Sequence, residues 1–196
     1  MIPIGKRDRD RGLRLIQGGL FYKTKWDSLR IVASHEDTPP FPVEGIALEE
    51  DTFLVLSAEP VIHEVHEHPV RLMTRLIETR PEVPGRVLVK GRRPYRFLAI
   101  IHDLNQEPTW KEAWVSSALQ GIFQEAEKRR LQSIALPMLG TKHGTLEKHR
   151  FILLLRNAID PSALRYLKRI WLIVPEGTAR HMIETLKSEF EGETPC

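Results

Sequence analysis

Phe97-Leu98-Ala99-Ile100-Ile101-His102 and, further on, Ser133-Ile134-Ala135-Leu136-Pro137-Met138-Leu139-Gly140-Thr141-Lys142-His143-Gly144-Thr145 are the two stretches on which the fold turns. Each opens as a short continuous apolar run, the pattern of a strand covered on both faces. The first run ends in a histidine, the second in a proline and a glycine-bearing loop. Between them Val115, Leu119, Ile122, Phe123 and Ala126 recur at helical spacing, which predicts a helix from about Lys111 to Arg130.

Outward from this centre the pattern repeats. Helices are expected over Leu146 to Ile159 and Ala179 to Phe190, with a strand over Ile170 to Val174 between them. Upstream, Arg86 to Lys90 reads as a strand joined to the first run through Gly91-Arg92-Arg93-Pro94. A helix is expected from Pro69, with Val70, Leu72, Met73, Leu76 and Ile77 in its apolar positions, up to Pro81. Leu13 to Ile16, Leu29 to Ala33 and Thr52 to Ser57 are β-prone, punctuated by Gly18-Gly19 and by Pro39-Pro40-Phe41-Pro42, a rigid surface loop. Alternation of β and α in the second half predicts an α/β fold: a mixed, partly parallel central sheet with helices on both faces, in three α/β/α layers. The runs at 97–102, 133–137 and 170–174 are expected to be neighbours in that sheet.

The loop Gly140-Thr141-Lys142-His143-Gly144-Thr145 lies between a strand's carboxyl end and a helix's first turn, where free N–H groups and the helix dipole favour an anion. Glycines allow close backbone approach, the threonines offer hydroxyls and Lys142 a positive charge. The same residues also suit a plain turn, with Gly144 permitting the bend and Thr145 capping the helix. From the residues alone both readings stand.

With Trp110 between them, these two stretches resemble the macro-domain pattern: a strand ending in histidine, a helix, a strand ending in proline, then a glycine-containing phosphate loop. The resemblance spans roughly residues 86 to 190. It implies a module that binds ADP-ribose or a related nucleotide diphosphate through Gly140 to Thr145, with Asp37 as counterpart of the aspartate that holds adenine. No cofactor is required by it. The family's other ligand loop is asparagine-containing and glycine-rich, whereas this chain reads Ser57-Ala58-Glu59-Pro60-Val61-Ile62-His63-Glu64-Val65-His66-Glu67-His68. Loss of those glycines implies weakened binding, and no asparagine matches the position linked to hydrolysis in active members. A degenerate fold serving as a scaffold for protein or nucleic-acid interaction is the alternative, and an ADP-ribosyl or metal-dependent hydrolase a further one.

His63, His66 and His68 are the candidate metal ligands, because imidazoles and the carboxylates of Glu64 and Glu67 suit zinc-like ions. Their spacing is not that of the zinc-protease helix, and a polar loop capping the Pro69 helix is the simpler account of them. His102 has no nucleophile beside it, and no catalytic residue is assigned; the balance favours binding over catalysis. Arg86, Lys90, Arg92, Arg93 and Arg96, with Tyr95 among them, form the densest basic segment and the candidate nucleic-acid contact.

The composition bounds the rest. The 196 residues suit one core and carry a net charge of only +3, too little to mark a nucleic-acid binder by itself. Residues 1–30 hold eight basic against three acidic side chains, and residues 1–12 read as a solvated basic arm before a single domain at 13–192. The lone cysteine, Cys196, excludes an intrachain disulfide. No apolar run reaches the roughly 20 residues of a membrane span and no signal-peptide core follows Met1, so a cytoplasmic protein is expected, of unknown oligomeric state.

Overall fold

The structure, a computed structural model, describes residues 22–26, 28–56 and 80–191. Its elements are β1 (Tyr22–Trp26), β2 (Leu29–Ser34), β3 (Gly45–Asp51), β4 (Val87–Lys90), β5 (Tyr95–His102), α1 (Glu112–Lys128), β6 (Ser133–Pro137), α2 (Lys148–Ala158), β7 (Arg169–Ile173) and α3 (Ala179–Glu191). The strands make one sheet in the order β1-β2-β7-β6-β3-β5-β4. Its two edge pairs, β1 with β2 and β4 with β5, are antiparallel, and every inner pair is parallel.

Parallel neighbours need a crossover, and α1 and α2 supply it from β5 to β6 and from β6 to β7. Both crossovers step in the same direction across the sheet, so right-handed connections put both helices on one face. There α1 packs on β4 and β5, α2 lies between α1 and α3, and α3 covers β1 and β2. Val115, Ala118, Leu119, Ile122, Phe123 and Ala126 of α1 share a core with Phe97, Ala99, Ile101, Ile134, Leu136, Ile170 and Leu172 of the sheet. The residues alternating with these, Val32, Leu98, Ile100, Ala135 and Trp171, are buried too. Burial on both faces is why the strands read as unbroken apolar runs.

Several expectations need correction. The strand expected at Thr52 to Ser57 is instead β3, seven residues earlier at its start, and Thr52 to Leu56 form a turn. The cause is local. The carboxylate of Asp51 accepts from the amides of Phe53 (2.6 Å), Val55 (3.1 Å) and Leu56 (3.0 Å), and Leu54 takes a φ of 61°, so these amides are turned inward and away from a ladder. Runs 133–137 and 170–174 are neighbours as expected, but β3 lies between β6 and β5. Helix α2 starts at Lys148, because the Leu146 amide closes the preceding loop by donating to the Gly140 carbonyl at 3.1 Å. The Leu13–Ile16 strand, the Pro69 helix and the basic arm lie outside the described residues. No described helix is long and apolar enough to cross a membrane.

Candidate functional site

Strands β3 and β6 pair over only two positions, Gly45 with Ile134 and Ile46 with Ala135. Beyond them the strands part. From β3 the chain continues toward β5 and from β6 toward β7, in opposite directions across the sheet, which makes this the point where an open α/β sheet leaves a crevice at its carboxyl end. A cavity of about 600 Å³ opens there. One wall is β3 from Ile46 to Glu49 with Leu56; the other is Pro137, Met138, Thr141, Lys142, His143 and Lys148; His35, Glu36 and Ile173 to Pro175 close the end.

The wall after β6 is shaped by two glycines. Gly140 has a φ of +79°, a left-handed conformation that a side chain resists. Gly144 is needed for space: a Cβ there would lie 2.5 Å from the Gly140 carbonyl oxygen and 2.9 Å from the Trp110 ring. Trp110, just ahead of α1, thus presses on the loop and fixes its bend, while the Leu146 side chain anchors its far end in the core. Within this loop the Gly140 amide donates to Glu49 Oε2 (3.0 Å) and the Thr141 amide to the Met138 carbonyl (3.1 Å). Among the described residues, the amides of Lys142, His143, Gly144 and Thr145 meet no protein acceptor. The N-cap of α2 is Glu147, without a side-chain capping bond, so Thr145 does not cap the helix.

The opposite wall is acidic. Glu49 reaches across the gap between the parting strands, one carboxylate oxygen on the Gly140 amide and the other 2.5 Å from His102 Nε2. Its side chain is 9% exposed and that of His102 3%. Glu50 and Asp51, both fully buried, are spent on the following turn: Glu50 accepts from Leu56 (2.7 Å) and Asp51 from three amides. The His143 ring stands edge-on to His102 with centroids 6.4 Å apart, so a carboxylate and two imidazoles meet at the base of the loop.

No protein-family model and no curated protein sequence matches the chain. Solved structures do. An Oceanobacillus iheyensis macrodomain with ADP is similar over 90% of this chain and 100% of its own, with a TM-score of 0.65 at 15% identity. A glycine-to-valine mutant of that macrodomain with ADPR gives 0.64 at 11% identity over 89% of this chain and 100% of its own. The macrodomain of Thermus aquaticus DarG gives 0.52 at 20% identity over 74% of this chain and 98% of its own. The chain has the macrodomain fold.

Within the macrodomain fold the predicted site residues are unequally placed. Thr141, Lys142 and His143 line the cleft, whereas Gly140 is buried behind it and Gly144 and Thr145 are not in its lining. The Thr141 hydroxyl donates to Met138 at 2.7 Å, which commits its proton inside the protein. Asp37 sits on the turn after β2, 83% exposed and 3.2 Å from His35, whose own ring lines the cleft. Lys90, Arg92, Arg93 and Arg96 belong to the tip of the β4–β5 hairpin, at the amino end of β5 and so at the opposite end of the sheet from the cleft, whereas Arg86 precedes β4 and lies opposite Ile100 near the carboxyl end of β5. Arg93 pairs with Glu44 at 3.1 Å and Arg86 with Glu82 at 3.5 Å. His63, His66 and His68 lie outside the described residues, among which no group of three or more His, Cys, Asp or Glu is arranged to hold a metal ion. Sequence reasoning missed Glu49, Lys148 and His35. For Glu49 the signal was the Gly45-Ile46-Ala47-Leu48 run just before three consecutive acids, a strand whose end is charged because it finishes at a cleft.

Proposed function

We propose that this chain is a macro-type module that binds a nucleotide or other phosphate-bearing ligand, ADP-ribose or a related diphosphate, in the cleft between β3 and β6, and binds it weakly. The observation that carries the reading is that the amides of Lys142 and His143, which line the cleft with Lys148, and of Gly144 and Thr145 next along the loop meet no acceptor among the described residues, ahead of the first turn of α2. Oriented N–H groups and a helix amino terminus favour a phosphate whatever the side chains are. The Oceanobacillus iheyensis macrodomain, of the same fold, has been solved with ADP and with ADPR. Weakness follows from the site's own commitments: the Gly140 amide and the Thr141 hydroxyl are already used, and Glu49 adds a negative charge. Each charge-assisted bond forgone is worth roughly 1.5–3 kcal/mol, so affinity weaker than micromolar is expected.

Calorimetric titration with ADP-ribose tests this. Wild type should give weak but measurable heats, and a Lys142→Ala/Lys148→Ala variant should bind about tenfold less tightly or worse. Absence of heat from the wild type would favour the scaffold reading instead.

A further inference from the structure

We propose that Glu49 sets which phosphate ligand the cleft accepts: it is an internal anion held at the phosphate loop, which admits a phosphomonoester bearing a hydroxyl-rich group and disfavours a second phosphate beside it. The inference rests on the reading of the cleft as a phosphate site; it makes the charge of Glu49 the reason a diphosphate such as ADP-ribose binds only weakly there, a single phosphate being preferred.

Three observations combine. The Glu49 carboxylate lines the cleft although its side chain is only 9% exposed, so its charge is poorly screened by solvent and faces whatever enters. Its position is fixed from both sides, by the Gly140 amide at 3.0 Å and by His102 Nε2 at 2.5 Å, so it is not free to swing away from a ligand. The cations of the cleft, Lys142 and Lys148, belong to the opposite wall. A phosphate is therefore favoured on the lysine side, at the amides of Lys142 and His143. The group attached to it meets Glu49. Each carboxylate oxygen there makes one bond and keeps a second lone pair, which accepts from a hydroxyl but repels another phosphate. A sugar or polyol next to a single phosphate satisfies both walls, whereas a diphosphate places its second charge against the acid.

The test is calorimetric titration of wild type, Glu49→Gln and Glu36→Gln with AMP and with ADP. Glutamine is chosen because its amide oxygen can still accept from Gly140 while its NH₂ faces His102, removing charge with little change of shape. Glu36 is an exposed acid of the same cleft that holds no loop amide, and serves as the control for general charge. Wild type should bind ADP no more tightly than AMP; Glu49→Gln should tighten ADP about tenfold and AMP much less; Glu36→Gln, which removes a solvent-screened charge at the cleft's end, should shift the ADP-to-AMP ratio clearly less than Glu49→Gln does. Wild type preferring ADP by tenfold, Glu49→Gln leaving the AMP-to-ADP ratio unchanged, or Glu36→Gln matching the effect of Glu49→Gln would overturn the inference while leaving the phosphate site in place. No heat from any combination would remove both. If Glu49→Gln does not fold, the wild-type ranking of AMP and ADP decides alone.

Discussion

The two walls of the cleft use backbone amides in opposite ways. On the β3 wall the acids answer the protein's own amides: Glu50 and Asp51 hold those of Phe53, Val55 and Leu56 in the following turn, and Glu49 crosses the gap to hold Gly140. The β6 wall keeps four consecutive amides without a protein acceptor among the described residues. One wall is self-satisfied and the other is presented. The sheet supplies the crevice, and what it can hold depends on which amides have been answered internally.

The hardest blow to the self-satisfied wall is Asp51→Ala. It leaves the amides of Phe53 and Val55 without their side-chain acceptor and the Leu56 amide with Glu50 alone, and a loss of about 2–3 kcal/mol of stability is expected by denaturant unfolding. A change under about 0.5 kcal/mol would mean that the turn is not organised by that carboxylate.

On the presented wall, Gly144→Ala should cost about 1–3 kcal/mol and weaken phosphate binding in the same protein. The added Cβ would meet the Gly140 carbonyl and Trp110, so the loop must shift even though no charge has changed. Wild-type stability and affinity in this variant would show that the loop's bend does not depend on that close approach.

The C-terminal half was legible because its elements are local: an apolar run, a helical period, a glycine loop, each readable within about twenty residues. The helix α1 and the strands β5, β6 and β7 follow that pattern. The first half was misread at β3, whose apolar part is only Ile46 to Leu48 and whose end is Glu49-Glu50-Asp51. A strand end so charged looks like a loop until its partners are known. Those partners, His102 and Gly140, lie 53 and 91 residues away, and no local signal announces them. The glycine loop is visible in the sequence as a segment, but which of its residues face the cleft depends on Trp110 and Leu146, which set its bend.

The smallest expected effect concerns the footing beneath the presented wall. Arg150 in the first turn of α2 grips Glu112 in the first turn of α1 through two hydrogen bonds of 2.8 Å. Those bonds hold the Glu112 carboxyl below its ordinary value of 4.5, against a lesser opposing effect of desolvation. A lowered carboxylate contributes stability that is complete above its ordinary value and disappears as pH falls through the lowered one. Glu112→Gln should therefore lower the thermal midpoint slightly at neutral pH, since the pair is solvent-exposed, and the difference from wild type should vanish in acid. A difference that grew as pH fell would contradict the assignment.

The contrast between the walls is most directly read by backbone amide NMR during titration with AMP. The account predicts that the Lys142, His143, Gly144 and Thr145 resonances move with ligand, while those of Phe53, Val55 and Leu56, already answered by Asp51 and Glu50, stay where they are. Loop amides that remain still while the β3-wall amides move, or while no amide moves at all, would contradict it.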